Sequence, residues 1–160
     1  MIDRRHTLLL GTGAAAFALF GCKGAQAVPA GNFPYKLSDA QWRKKLGSAA
    51  YEVLCHEDTE TPGSSPLNAE HRAGVFSCKG CAQQLFASKT KFESGTGWPS
   101  FYAPIRGAVG TRTDGTLGMA RTEVHCDRCG GHLGHVFDDG PAPTGKRYCM
   151  NGVAMTFATA

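Results

Sequence analysis

No apolar run in this 160-residue chain is long enough to cross a membrane as a helix, since the segment over residues 8–21 falls short of the roughly 20 residues a bilayer core needs. Neither sign of charge dominates. Against 17 lysines and arginines stand 13 aspartates and glutamates, a formal net of +4, and discarding the first 27 residues leaves 14 against 12. That is too near balance for a protein that neutralises phosphates, so no nucleic-acid partner is expected. There is no internal repeat beyond two Cys-x-x-Cys pairs, and no low-complexity tract. What remains is one domain of ordinary 42% hydrophobic content with a short appendage. An even cysteine count is missing too. Seven thiols cannot all be paired off in a disulfide framework, and at least one is left over.

The appendage reads as an address. Arg4 and Arg5 precede the Gly/Ala-rich apolar segment, the layout of a twin-arginine export signal, so residues 1–27 are expected to direct the chain to the periplasm. Ala25-Gln26-Ala27 fits cleavage before Val28. Leu19-Phe20-Gly21-Cys22 is the competing lipoprotein-type site, and only acylation of Cys22 would give the protein a membrane partner. Phe20 is bulky for such a site, which favours cleavage after Ala27.

Residues 28–36 are rich in proline and glycine and read as a linker into a domain over 37–160. Ser38 with Gln41 three residues on forms a capping box for a helix that carries Trp42 and Leu46 on one face and stops at Gly47. A second short helix is expected over 49–56. From there the pattern changes to brief apolar runs separated by glycine, over 74–77, 84–87, 109–113, 118–125, 132–137 and 148–157. These predict a mainly β domain of antiparallel strands.

Cys78-Lys79-Gly80-Cys81 and Cys126-Asp127-Arg128-Cys129 are each placed where a predicted strand meets a turn. A Cys-x-x-Cys turn converges two sulfurs from one tight backbone curve, and two such turns give the four thiolates of a tetrahedral structural zinc. The 44 residues between the pairs exceed the gap in a compact zinc ribbon, so a strand-rich insert must join the knuckles. A disulfide inside each pair, or a redox pair, is the alternative an oxidising compartment permits. Neither pair sits between a strand and a helix as a redox motif does, which favours zinc. A four-cysteine site has no open position, so the metal would hold the fold without touching substrate.

Of the other mature cysteines, Cys149 follows a turn marked by Pro141, Pro143 and Gly145, and it lies on a predicted strand beside Arg147. A neighbouring cation favours the thiolate, the reactive form; a buried inert cysteine is the plainer alternative. His132 and His135 follow the second knuckle. On a regular strand they would face opposite ways unless Gly134 introduces a bulge. In Ser94-Gly95-Thr96-Gly97-Trp98-Pro99-Ser100-Phe101, two glycines and a rigid proline hold Trp98 in a turn, as a binding surface or as core.

Taken together, these pieces and the stretch Gly130-Gly131-His132-Leu133-Gly134-His135-Val136-Phe137-Asp138-Asp139 through Arg147-Tyr148-Cys149-Met150-Asn151 resemble the type B methionine sulfoxide reductases, over about 37–157. The resemblance implies two antiparallel sheets in a twisted, barrel-like core with short N-terminal helices. It implies reduction of the R epimer of methionine sulfoxide in proteins or peptides, with Cys149 as nucleophile, His132, His135, Asp139, Arg147 and Asn151 around it, and Trp98 under the substrate methyl. His135, oriented by Asp139, is the expected acid. Many members carry a second, resolving cysteine where this chain has Thr96, between Gly95 and Gly97. Cys55 is the one mature cysteine outside the quartet and the nucleophile, and is expected to take that role before a thioredoxin-like reductant opens the disulfide. A monomer is expected. A non-catalytic zinc-stabilised binding module and a zinc hydrolase using His132 and His135 are the rival classes.

Overall fold

Ser38 starts the first helix, α1 (Asp39–Leu46), through both halves of its capping box: its hydroxyl accepts from the Gln41 N–H, and the Gln41 side chain accepts from the Ser38 N–H at 2.8 Å. The structure, a computed structural model, describes residues 31–115, 118 and 120–160; the expected export segment 1–27 with Cys22, and residues 28–30 of the expected linker, lie outside the described residues. Gly47, at φ 73°, ends α1 and lets α2 (Ser48–His56) begin at once in a new direction. Helix α1 buries Trp42 and Leu46, and α2 buries Ala50, Tyr51, Val53, Leu54 and Cys55 against β7 and the turn at Gly152–Ala154. Within the expected linker, Phe33 packs edge-on against His125, and the Tyr35 N–H donates to Arg128 O at 3.0 Å.

Among the described residues the strands are β1 (Gly74–Cys78), β2 (Gln84–Ala87), β3 (Lys91–Phe92), β4 (Ser100–Phe101), β5 (Val109–Asp114), β6 (Arg121–Cys126), β7 (His132–Phe137), β8 (Arg147–Met150) and β9 (Met155–Thr159). They form two antiparallel sheets, one ordered β2-β1-β9 and the other β3-β4-β8-β7-β6-β5. The mainly β reading with two short N-terminal helices therefore holds. Two details differ from the sequence pattern. The apolar run over 148–157 is not one strand: Asn151 and a 3-10 turn divide it, sending β8 to the large sheet and β9 to the small one. The two-residue strands β3 and β4 are too short to leave a periodic signal.

An aromatic cluster joins the sheets. Phe86 of β2 stacks on Phe101 of β4 with centroids 4.3 Å apart, and Phe76 of β1 meets Phe101 edge-on at 5.0 Å. All three are fully buried, and each contributes about 2–3 kcal/mol by area removed from water. The second link between the sheets is the cysteine quartet. Cys78 ends β1 and Cys126 ends β6; each knuckle closes with an N–H donating back to the first cysteine's carbonyl at 2.8 Å, from Ala82 and from Gly130. Both closing residues are left-handed, at φ 60° and 73°, which Gly130 accepts freely and Ala82 at a cost of about 1 kcal/mol.

Candidate active site

The expected alternation of His132 and His135 is broken by a bulge. Across β6 and β7, Val124 pairs with Gly134 while the next β6 residue, His125, pairs with His132, so Leu133 is extra. Gly134 makes this possible: its φ is 153°, and a Cβ there would stand 2.1 Å from the Cys149 carbonyl oxygen. As a result the two imidazoles come to 5.3 Å between centroids. His135 is also the register partner of Cys149 on β8, so the histidine and the thiol emerge side by side.

Around Cys149 lies a pocket of about 130 Å³, lined by Thr59, Trp98, Arg121, Gly134, His135, Phe137, Cys149 and Asn151. At about 30 Å³ per water it has room for the end of one side chain and little more. The thiol is half-buried, not sealed in the core. A larger cleft of about 770 Å³ runs along α2 and the 152–154 turn, but among the described residues no cysteine or histidine lines it.

Trp98 is fixed by its indole N–H, which donates to Glu60 O at 3.1 Å. Asn151, 3% exposed, donates to Leu133 O at 3.2 Å and accepts the Glu60 N–H at 3.0 Å. Glu60 in turn accepts N–H bonds from Gly152 at 2.5 Å and Val153 at 2.9 Å. One loop residue, through its backbone and its carboxylate, thus ties the tryptophan, the asparagine and the turn after Cys149 into a single frame.

The carboxylate partners differ from those expected. Asp139 does not orient His135; it holds Arg147 in a two-pronged pair at 2.8 Å for each bond. Arg147 lies over the Phe137 ring and faces the Cys149 sulfur, so that Asp139 first and Cys149 after it hold the guanidinium pKa above its usual value. The carboxylate on His135 Nε2 is Asp114, at 2.8 Å, and Arg121 donates to the same oxygen at 2.7 Å. Burial holds the imidazole below its ordinary range, with Arg121 and His132 pushing the same way and Asp114 opposing them. His132, 1% exposed, sets its Nδ1 2.8 Å from Glu123 Oε1, while its Nε2 has no partner among the described residues. Burial acts to raise the Glu123 pKa, but His132 and then Arg112 overcome it and keep the carboxylate ionised.

Asp114, Glu123, Arg121 and Glu60 escaped the reading of the sequence. Glu123 left one signal, a charge in mid-strand beside Val124 on β6 where an apolar residue would pack. Asp114 and Glu60 sit at a strand end and in a loop, where acids are unremarkable.

Cys55 is not among the pocket residues. It is 4% exposed in α2, and burial, with Asp39 and Glu52 adding, pushes its thiol up to about 12. The sulfurs of Cys78, Cys81, Cys126 and Cys129 all lie within 4.8 Å of one another, with Cys78 to Cys129 at 3.8 Å and Cys81 to Cys126 at 3.5 Å. Sulfurs at about 2.3 Å from a tetrahedral ion stand about 3.8 Å apart, and a disulfide would bring them to about 2 Å. The quartet therefore has the spacing of a metal cage and not of two disulfides.

A β scaffold clamped by four cysteines, carrying a separate half-buried thiol in one pocket with an indole and a carboxylate-backed imidazole, defines a thiol-centred redox protein. Comparison with known proteins makes the class specific. The SelR domain model matches residues 46–159. The chain is 53% identical over 123 residues to the peptide methionine sulfoxide reductase MsrB of Methanosarcina barkeri, covering 76% of this chain and 87% of that protein. It is 50% identical over 121 residues to the MsrB of Agrobacterium fabrum (75% and 90% covered) and 46% over 127 to that of Leptospira interrogans (79% and 97%). The chain belongs to the SelR domain family, the MsrB-type peptide methionine sulfoxide reductases.

Proposed function

We propose that this protein reduces the R epimer of methionine sulfoxide in proteins or peptides to methionine, with Cys149 attacking the sulfoxide sulfur. The observation that carries this reading is the shared pocket of Cys149, Trp98 and His135 in a chain about half identical to MsrB enzymes. Sulfoxide sulfur becomes electrophilic when its oxygen takes a proton. His135 is the donor and Asp114 its orienting carboxylate, with His132 behind it on Glu123. The thiolate's electron pair goes to sulfur, oxygen passes to Cys149, and the products are methionine and a sulfenic acid. Trp98 receives the substrate methyl. The S epimer would exchange methyl and oxygen, setting the polar group on the indole and leaving the acid without its acceptor. The test is consumption of separated R and S epimers of a methionine sulfoxide peptide with dithiothreitol. Loss of the R epimer alone supports the reading, and equal or no consumption refutes it.

The proton donor has a pH signature. His135 must carry a proton to act, and its lowered pKa means that the charged form is lost as pH rises through a value below 6.5. First-turnover rates divided by the thiolate fraction should therefore fall between about pH 5.5 and 8, and His135→Asn should be slower and flat. A wild-type normalised rate indifferent to pH would take His135 out of this role.

Resolution falls to Cys55, by movement. With the thiol near 12, only about one part in 10⁵ is thiolate at pH 7, so the resting position cannot attack. Cys55 stands in the last turn of α2, four residues before Thr59 in the pocket wall. Four extended residues span up to about 14 Å, so fraying of that turn delivers the sulfur while the Glu60 frame stays in place. Water leaves, a Cys55–Cys149 disulfide forms, and a thioredoxin-like reductant opens it. Cys55→Ser should lower steady-state turnover with a thioredoxin-type donor about tenfold or more; unchanged turnover removes the proposal.

The quartet ion is zinc, held by Cys78, Cys81, Cys126 and Cys129, which supplies cohesion between the two sheets and no chemistry. Export to the periplasm, with cleavage after Ala27 and not lipidation of Cys22, completes the reading on the strength of Arg4 and Arg5. Mass spectrometry of the mature N-terminus decides between the two.

A further inference from the structure

One hydroxyl touches the Cys149 sulfur and has no part in the chemistry above. Thr96 Oγ1 lies 3.7 Å from Cys149 Sγ, within hydrogen-bonding distance for sulfur. Behind it runs a line of hydroxyls: Thr96 Oγ1 to Ser94 Oγ at 2.8 Å, Ser94 Oγ to Ser100 Oγ at 2.7 Å, and Ser100 Oγ to the Trp98 carbonyl at 3.2 Å. Ser100 is 1% exposed and is the register partner of Cys149 across β4 and β8, so the far end of the line is anchored in the sheet. The near end is anchored by the loop. Gly95 and Gly97 flank Thr96 at φ 72° and 92°, the Gly63 N–H donates to Gly97 O at 2.7 Å, and a Cβ on residue 97 would meet Pro62 at 2.9 Å.

Each of the three hydroxyls has one proton to give and the Trp98 carbonyl can only accept, and two senses of the line matter for the sulfur. In one, the Cys149 thiol donates to Thr96, Thr96 to Ser94, Ser94 to Ser100, and Ser100 to the Trp98 carbonyl. In the other every hydroxyl turns about its C–O bond, Ser100 gives up its bond to the Trp98 carbonyl, and the line runs from Ser100 through Ser94 and Thr96 to end as a donor on sulfur. The first sense suits the thiol and the second the thiolate. No proton travels along the line; the proton that leaves sulfur goes out through the pocket.

We propose that Thr96 is a catalytic residue whose hydroxyl, oriented by Ser94 and Ser100, donates a hydrogen bond to the attacking Cys149 thiolate. This rests on Cys149 being the attacking thiol. Other charges face that sulfur: Arg147 on β8, paired with Asp139, and, from the neighbouring strands, His135 on β7 and Arg121 on β6, both bonded to Asp114. They act whichever residue occupies position 96, so the share of Thr96 is read as a difference between variants.

The experiment follows the rate of iodoacetamide alkylation at Cys149 itself, by mass spectrometry of digests of the reduced full-length protein, across about pH 5 to 9. Thr96→Val keeps the shape and removes the donor. It should move the midpoint of the profile about one unit toward alkaline pH and slow alkylation near pH 6 about tenfold, as loss of a charge-assisted hydrogen bond requires. Thr96→Ser should restore the wild-type profile, and Ser94→Ala should fall between. A Thr96→Val profile that coincides with wild type overturns the proposal, as does a Thr96→Ser profile displaced as far as the valine one, which would mark lost packing. Should the valine variant not fold, Ser94→Ala decides alone by the same shift or its absence. Sulfoxide consumption is measured in parallel, because a wild-type protein that consumes none refutes the reductase reading while the alkylation profile still reports on Thr96.

Discussion

Replacement of Cys149 by serine is expected to lower methionine sulfoxide turnover at least about a thousandfold while leaving the fold intact. A serine hydroxyl is barely ionised at neutral pH, and it cannot take oxygen to form the counterpart of a sulfenic acid. His135 stands beside the thiol in the pocket, yet an imidazole cannot supply the electron pair that reduction demands. The stability cost is small because Cys149 is half-buried and serine is nearly isosteric, so a shift within about 0.5 kcal/mol is expected. Methionine release from a sulfoxide peptide, read beside a thermal melt, checks both halves. A non-catalytic binding module would lose nothing in the first assay.

Removal of the zinc proposed for the quartet should have an effect of similar size by a different route. Cys78, Cys81, Cys126 and Cys129 are at most 5% exposed and tie the β1–β2 knuckle of the small sheet to the β6–β7 knuckle of the large one. A structural zinc in small domains is worth roughly 10–16 kcal/mol of apparent binding energy, as much as the whole stability of a typical domain. Strong chelators, or Cys126→Ser, should therefore abolish the cooperative melt, and activity should decay at the rate of unfolding. Zinc added back to the chelated wild type should restore both. A zinc hydrolase would behave otherwise, losing activity at once with its β spectrum unchanged.

The sequence disclosed those parts of the molecule that depend on local chemistry. Ser38 and Gln41 announce a capping box because both halves lie within one turn, and the paired cysteines announce a cage because each knuckle is a single turn. Hydrophobic runs located most of the strands for the same reason. What stayed hidden depends on register between distant segments. Asp114 reaches His135 and Glu123 reaches His132 only because β5, β6 and β7 are adjacent and β7 is bulged at Leu133 and Gly134. The resemblance places Asp139 at the site without saying which side chain it meets, and the turn before β8 hands it to Arg147. The burial of Cys55 was equally invisible, since position in a nine-residue helix does not reveal which face meets β7.

The most direct measurement dispenses with reductant altogether. Reduced enzyme is mixed with an excess of both epimers of a methionine sulfoxide peptide, and methionine formed per enzyme is counted while the oxidation state of Cys149 is followed by mass spectrometry. About one methionine per enzyme is expected, drawn from the R epimer, in step with conversion of Cys149 to a sulfenic acid or to its disulfide with Cys55. Methionine formed while Cys149 stays a free thiol, or none formed at all, would contradict attack by Cys149.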